Sequence, residues 1–147
     1  MTRRVYCING PNLNLLGQRE PEIYGDLTLS DIEAMLQDEA STSDIGVVMR
    51  QSNHEGQIID WLQEARLDGD GVILNAAAFT HTSIALLDTL KTLDIPVIEV
   101  HLSNPAAREA FRSTNYISPA VTGSIAGLGA VGYVLALKAL SQLIPTN

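Results

Sequence analysis

The loop that follows the first apolar run carries residue types that could remove a proton from a substrate. Residues 10–25 read GPNLNLLGQREPEIYG and place Arg19 and Tyr24 five positions apart. A tyrosine hydroxyl ordinarily has a pKa of about 10, and a nearby guanidinium favours its phenolate form. Most connections in small domains need only about 4–6 residues, so a loop of this length predicts a functional lid. The alternative interpretation is a surface loop with a packed tyrosine.

Glu99 and His101 form a second candidate pair near the end of an apolar run. Residues two apart in a strand point to the same face of the sheet. A carboxylate beside His101 could fix the tautomer of the imidazole, which suits a general acid. His54 and His81 also follow candidate strands, and three histidines could in principle bind zinc. Their wide separation in the sequence matches no local ligand motif, so we predict no metal.

Other chemistries find less support in the sequence. Imine catalysis needs a lysine in the site, but Lys91 and Lys138 both fall late in predicted helices. The GLGAVG at 127–132 matches a dinucleotide fingerprint, yet no acidic residue follows it. We interpret that stretch either as small residues that allow close helix packing or as a tight strand-to-helix turn. Ser103 lacks the motif of an activated serine nucleophile.

Alternating apolar runs and helical patterns supply the elements that would position these residues. Candidate strands cover 4–8, 45–50, 71–75 and 96–102, and a fifth lies near Ala120–Gly123. This βαβ order predicts one domain over residues 1–147, with helices on both faces of a doubly wound, five-stranded parallel sheet. Ligands bind beyond the carboxyl ends of such strands, and the three histidines follow strands at that edge.

Three helices can be placed from the apolar spacing. The first begins at LSDIEAMLQDEA, where Ser30 and Glu33 have capping-box spacing. The second and third are predicted to bury one face each, formed by Ile58, Ile59, Leu62 and Ala65, and by Ile84, Leu87 and either Leu90 or Leu93. We expect the apolar tail at 124–144 to form a packed helix and not a membrane span.

Composition narrows the class of protein further. A formal charge of −8 argues against a nucleic-acid partner. The single cysteine, Cys7, lies in an apolar run, excludes an internal disulfide and fits a reducing compartment. No signal peptide is visible, so we expect a cytoplasmic protein.

Several stretches together resemble the type II 3-dehydroquinate dehydratase family. They are INGPNLNLLGQREPEIYG, QSNHEGQIIDWL, GVILNAAAFTHTSIALLDTL, PVIEVHLSNP, REAFR and GLGAVGYVLAL. The resemblance implies a flavodoxin-like fold and a lid at about residues 18–26. It also implies a reversible anti dehydration of 3-dehydroquinate to 3-dehydroshikimate through an enolate, with no metal, imine or other cofactor.

The resemblance also implies roles for the residues that do the chemistry. Tyr24 would be the base that takes a C2 proton, and Arg19 would keep it ionised. Asn12 would help hold a water that hydrogen-bonds the enolate oxygen. His101, oriented by Glu99, would protonate the departing C1 hydroxyl.

Substrate binding is implied in the same way. Asn75 would hold the C1 hydroxyl, and the backbone amides of Leu102 and Ser103 would grip the carboxylate. His81 and Arg112 would bind ring hydroxyls.

The family assembles as trimers gathered into dodecamers, which implies that Asp88 reaches the site of a neighbouring subunit. Spacing alone cannot choose between Arg108 and Arg112, and the resemblance favours Arg112 as the substrate residue. Pro105-Ala106 and the STN at 113–115 depart from the family pattern, which affects loop rigidity and affinity more than the reaction.

Two rival interpretations stay open at this point. A flavodoxin-like binding module without chemistry is one, although the NGPN at 9–12 offers neither the acidic cluster of a receiver domain nor a flavin phosphate loop. A zinc hydrolase built on the three histidines is the other.

Overall fold

The computed structural model describes residues 2–146 and contains a five-stranded parallel sheet. The strands are β1 (Arg3–Asn9), β2 (Ile45–Gln51), β3 (Gly71–Asn75), β4 (Val97–His101) and β5 (Gly123–Ala126). Their spatial order is β2-β1-β3-β4-β5, which is the flavodoxin-like order and confirms the predicted fold.

Helices cover both faces of the sheet. They are α1 (Pro21–Tyr24), α2 (Leu29–Ala40), α3 (Glu55–Asp68), α4 (Ile84–Leu90) and α5 (Val131–Leu143). One buried cluster forms beneath α2 and α5, and a second forms beneath α3 and α4. β1 and β3 are buried along their whole length apart from exposed Arg4, because helices cover both of their faces.

Cys7 lies in β1 within the first of these clusters. It is fully buried, and that burial raises the pKa of its thiol to about 12. Its interpretation as a small core residue is confirmed.

The capping box of α2 lies two residues earlier than predicted. Thr28 Oγ1 accepts a hydrogen bond from the Asp31 amide at 3.1 Å, and the Asp31 carboxylate accepts from the Thr28 amide at 2.9 Å. These bonds also lower the pKa of Asp31. The prediction of Ser30 and Glu33 was wrong, because Thr28 and Asp31 have the same three-residue spacing and begin the helix first.

The fifth strand begins later than the sequence pattern indicated. Ser118–Ala120 forms a 3-10 turn, and β5 starts at Gly123. The amides of Ala120 and Val121 donate to the carbonyls of Ile117 and Ser118 within that turn. Pairing therefore starts only at Thr122, whose amide donates to the Val97 carbonyl at 2.8 Å.

The buried face of α4 also differs from its prediction. Ser83 caps the helix by accepting from the Leu86 amide at 2.9 Å, and the helix then buries Leu86 and Leu90. Leu87 is only half-buried, and Ile84 is 58% exposed. On α3, burial of Ile58, Leu62 and Ala65 is confirmed, while Ile59 lies half-buried at the edge.

The apolar tail forms α5, whose inner face buries Tyr133, Ala136, Leu137 and Leu140. Between residues 2 and 146, none of the helices combines the length and apolar character needed to cross a bilayer.

Candidate active site

A polar cavity lies at the carboxyl edge of the sheet, where β1, β3 and β4 end. Its wall includes nine of the predicted site residues, which are Asn12, Arg19, Tyr24, Asn75, His81, His101, Leu102, Ser103 and Arg112. Arg108 and Pro105 also line it. Residues far apart in the sequence therefore meet where the strand order predicts a ligand site.

Glu99 and His101 lie on the same side of β4 and form a buried pair. His101 Nε2 is 2.5 Å from Glu99 Oε2, and only 1% of Glu99 is exposed. Glu99 Oε2 also accepts from Asn115 Nδ2 at 2.8 Å, while Oε1 accepts from the hydroxyls of Ser118 at 2.7 Å and Ser124 at 2.9 Å. Four donors fill the lone-pair positions of the carboxylate.

These bonds decide the charge of the pair. Burial by itself would raise the pKa of Glu99, but the hydrogen bonds from His101, Ser118 and Asn115 outweigh it and lower the pKa to about 2. Because the carboxylate is ionised and only accepts, His101 Nε2 must carry a proton. Nδ1 is then the ring nitrogen that can exchange a proton with a ligand.

Sequence reasoning missed Asn115, Ser118 and Ser124. A signal was available for Ser124, since it pairs with Glu99 in the β4–β5 register. Because the prediction started β5 three residues too early, it did not pair Ser124 with Glu99. Asn115 lies in irregular chain and Ser118 begins a short 3-10 turn, and in neither place does a periodicity predict a contact with β4.

The loop of residues 18–26, which is the predicted lid, places Tyr24 close to two guanidinium groups. The carbon centres of Arg19 and Arg108 lie 4.8 and 5.1 Å from the Tyr24 ring centroid. Arg108 Nη1 also donates to Ser103 Oγ at 3.2 Å. The structure therefore places Arg108, which the resemblance did not assign to the substrate, beside the lid tyrosine. Two cationic side chains therefore lie in contact with the aromatic ring of Tyr24 at the cavity wall.

Two further side chains of the wall are held by neighbouring groups. Arg112 makes a two-point contact with Glu109, at 3.1 Å to Oε1 and 3.3 Å to Oε2, and it lowers the pKa of Glu109. His81 Nδ1 lies 2.7 Å from the Thr114 carbonyl. A carbonyl only accepts, so Nδ1 carries a proton and Nε2 of the neutral ring is the acceptor.

Asn12 occupies a left-handed backbone conformation, with φ of 68°, at the turn after β1. The backbone amide of Asn12 donates to Asn53 Oδ1 at 3.0 Å, and Gln51 Nε2 donates to the Gly10 carbonyl at 3.1 Å. Polar residues after β2 therefore support the loop after β1.

Asp88 lies outside this wall, on the exposed face of α4 beside Ile84. His54 is exposed at the start of α3 and also lies outside the wall. Within the part of the chain that the structure describes, no group of three or more histidine, cysteine, aspartate or glutamate side chains is arranged to hold a metal ion.

The GLGAVG stretch forms the turn from β5 into α5. Gly127 and Gly129 adopt φ of +83° and +66°, which favours glycine. Its interpretation as a tight strand-to-helix turn agrees with this geometry.

A parallel α/β sheet with a buried carboxylate–histidine pair and a lid tyrosine at its carboxyl edge defines an enzyme equipped for acid–base chemistry. The chain belongs to a particular family of such proteins, the class II dehydroquinases, because the family model described as "Dehydroquinase class II" matches residues 3–141. This confirms the resemblance seen in the sequence.

Individual relatives agree with the family. A Hyphomonas neptunium protein named 3-dehydroquinate dehydratase is 63% identical over 97% of this chain and 96% of its own length. A Caulobacter protein of the same name is 55% identical over the full length of both chains. The crystal structure of type II dehydroquinase from Propionibacterium acnes has a TM-score of 0.93 and 44% identity, covering 97% of this chain and 98% of its own.

Proposed function

We propose that this protein is a hydro-lyase that reversibly dehydrates 3-dehydroquinate to 3-dehydroshikimate, a step in aromatic amino-acid biosynthesis by the shikimate pathway. Membership of the class II dehydroquinase family and the names of its relatives support this reaction. The observation that carries the proposal is the presence of Tyr24 and the Glu99-backed His101 at one cavity.

The reaction begins with the lid tyrosine. Tyr24, as a phenolate close to Arg19 and Arg108, takes the C2 proton next to the C3 ketone. The electrons of the C2–H bond move into an enolate, whose oxygen receives a hydrogen bond from a water held by Asn12. Preorganised donors stabilise such a developing charge more than bulk water does.

The second half of the reaction uses the buried pair. His101 gives its Nδ1 proton to the C1 hydroxyl as the C1–O bond breaks. Water leaves, and the enolate electrons form the C1–C2 double bond of the conjugated product. Glu99, which keeps its negative charge, stabilises the imidazolium before the transfer and holds the ring in place.

Substrate recognition falls to the remaining cavity residues. Asn75 holds the C1 hydroxyl, and the backbone amides of Leu102 and Ser103 bind the carboxylate. Nε2 of His81 is available to accept from a ring hydroxyl, and Arg112 donates to another. A polyhydroxylated acid needs such a set of neutral donors with one or two arginines.

We also propose that the chain assembles as trimers gathered into a dodecamer in the cytoplasm. Ile84 is 58% exposed beside Asp88 on α4, and Phe111 is 60% exposed near the site. A neighbouring subunit that covers this face would receive Asp88 at its own site. Light scattering on a size-exclusion column should give about twelve times the chain mass of 15.8 kDa, and a monomer mass would contradict the assembly.

The mechanism makes a direct prediction about inhibitors. Purified protein mixed with 3-dehydroquinate should produce the ultraviolet absorbance of a conjugated enone at the same rate with EDTA present. The rate should also be unchanged after the protein has been treated with borohydride and substrate and both have been removed before the assay. EDTA would stop a metal-dependent enzyme, and borohydride would trap an imine on a lysine. Loss of activity with either reagent would contradict the enolate mechanism, and no enone in folded protein would contradict the reaction itself.

A further inference from the structure

A chain of hydrogen bonds runs through the core directly beneath the cavity. Tyr133, in the first turn of α5, is fully buried. Its hydroxyl donates to Asn9 Oδ1 at 2.7 Å and accepts from Asn75 Nδ2 at 2.8 Å. Asn9 and Asn75 end the neighbouring strands β1 and β3 and pair in their register. The chain therefore joins α5 to an asparagine that lines the cavity.

Backbone groups at both ends fix the direction of every bond in this chain. Asn9 Nδ2 donates to the Arg50 carbonyl at 3.0 Å, so Asn9 must present Oδ1 to Tyr133. The Ala77 amide donates to Asn75 Oδ1 at 3.1 Å, so Asn75 must present Nδ2 to Tyr133. Burial raises the pKa of Tyr133 far above its ordinary value, and its hydroxyl keeps the proton that it donates to Asn9.

The sequence around Tyr133 explains how a tyrosine can reach this position. A Cβ on Gly132 would be in van der Waals contact with the sheet, 3.4 Å from Ile125 and 3.6 Å from Val100, so the start of α5 packs directly on β5 and β4. The first turn of α5 then passes over the ends of β3 and β4. Tyr133 reaches across to Asn75, 58 positions away in the sequence.

The segment after Asn75 depends on the same chain. Ala77 adopts a left-handed conformation with φ of +53°, which is costly for a residue with a side chain. Its amide is held by Asn75 Oδ1, and Ala77 itself lines the cavity. The orientation of Asn75 thus determines which of its side-chain groups faces the ligand. It also holds the backbone of the cavity wall at Ala77.

We propose that Tyr133 is a positioning residue, whose hydroxyl orients the Asn75 amide so that its second N–H donates to the departing hydroxyl of the substrate. One hydrogen of Asn75 Nδ2 is committed to Tyr133, which leaves the other for a ligand. A hydrogen bond that becomes stronger as the departing oxygen gains negative charge assists cleavage of the C1–O bond more than it assists substrate binding. The inference rests on the proposed function, in which Asn75 holds that hydroxyl.

The test removes the hydroxyl with Tyr133→Phe and uses Tyr6→Phe as the matched control. Tyr6 is also buried, at 1% exposure, but it lies on the other face of the sheet, and its hydroxyl donates to Glu64 at 2.8 Å. In folded protein we expect Tyr133→Phe to lower kcat roughly 10- to 100-fold with KM changed less, whereas Tyr6→Phe keeps kcat.

A double-mutant cycle with Asn75→Ala shows whether Tyr133 acts through Asn75. We expect Asn75→Ala to lower kcat and the added Tyr133→Phe to lower it little further. If Tyr133→Phe does not fold, Asn9→Ala removes the acceptor that directs the hydroxyl and should lower kcat in the same way.

The outcomes separate the inference from the proposed function. Wild-type kcat in folded Tyr133→Phe, with a low kcat in Asn75→Ala, would overturn the role of Tyr133 alone. Fully additive effects of the two changes would also overturn it. Wild-type kcat in Asn75→Ala would overturn the role of Asn75 and this inference together, and an inactive wild-type protein would contradict the proposed reaction.

Discussion

The floor of the cavity, formed by Asn75, Glu99 and His101, differs from the lid in how its side chains are held. The floor residues are only 1–8% exposed, and contacts with distant parts of the chain fix them. In the lid, the side chains of Arg19 and Glu20 are 39 and 47% exposed and pair at 3.6 Å. The lid backbone is bonded mainly to itself, as in the bond from the Tyr24 amide to the Glu20 carbonyl.

This difference separates two requirements of an acid–base site. The floor must keep its charges and donors in place before the substrate arrives, and burial with full hydrogen bonding achieves that. As the proposed lid, residues 18–26 must admit the substrate and then exclude water, and low local stability suits that role. Segments with few buried contacts unfold locally at a small free-energy cost, whereas the floor residues become exposed only when the core unfolds.

Tyr24→Phe should have the largest effect on catalysis and almost none on the fold. Loss of the base should lower kcat by several orders of magnitude, on the order of 10³-fold, because phenylalanine cannot take the C2 proton. The free energy of unfolding should change by less than about 0.5 kcal/mol, since the side chain is half-buried and lies in the lid. Enzyme assays and denaturant titrations measure both quantities.

Tyr116→Phe is the control for that change, because Tyr116 is also half-buried but lies outside the cavity wall. Equal turnover by Tyr24→Phe and the wild-type protein would show that another group is the base.

Glu99→Gln should lower the free energy of unfolding, by an amount that depends strongly on pH. The pKa of Glu99 is about 2 in the folded protein, below its ordinary value of 4.5. The ionised carboxylate therefore stabilises the fold above about pH 4.5, and this contribution falls as the pH drops towards 2. Above that pH, the contribution of the ionised carboxylate to the free energy of unfolding amounts to about 3 kcal/mol. We expect kcat to fall by roughly 10- to 100-fold, since the imidazolium loses its counter-charge.

Urea titrations between pH 7 and pH 2 measure that contribution. The free-energy difference between wild-type protein and Glu99→Gln should shrink as the pH falls, whereas Tyr24→Phe should follow the wild-type profile. A constant difference across this range would mean that Glu99 is not held as an anion by the floor.

The sequence predicted the candidate acid and the candidate base, but not the contacts that hold their side chains. The period of two in β4 placed Glu99 and His101 on one face, and the long loop with Arg19 and Tyr24 predicted the lid. Both signals are local. Tyr133 and Asn9 are 124 positions apart, so their contact depends on how α5 packs against the sheet, which periodicity does not determine.

The errors in the fold have similar physical causes. β5 was placed too early because Ala120 and Val121 are apolar and look like a strand, although their amides donate within the 3-10 turn and not to the ladder. The face of α4 was misassigned because Ile84 is apolar yet exposed in the single chain. An apolar residue on a helix face predicts burial, but it does not say whether the same chain provides the cover.

Gly25→Ala probes the lid backbone, with a smaller expected effect than the two preceding changes. Gly25 adopts φ of 86° and ψ of 174°, a region that is essentially restricted to glycine, and no heavy atom lies within 4 Å of an added Cβ. The substitution therefore strains the backbone by about 1–3 kcal/mol without a clash. Because Gly25 follows Tyr24 directly, the lid should relax to a conformation that misplaces the base. We expect kcat to fall roughly tenfold, with the melting temperature unchanged.

Gly56→Ala is the control, since a Cβ there also meets open space but Gly56 lies within α3, where alanine is favourable. It should keep kcat and stabilise the protein by up to about 1 kcal/mol. If Gly25→Ala instead lowered the melting temperature and kept kcat, the lid would unfold together with the core. The base would then be held as firmly as the floor, and the contrast between the two regions would not describe how this site works.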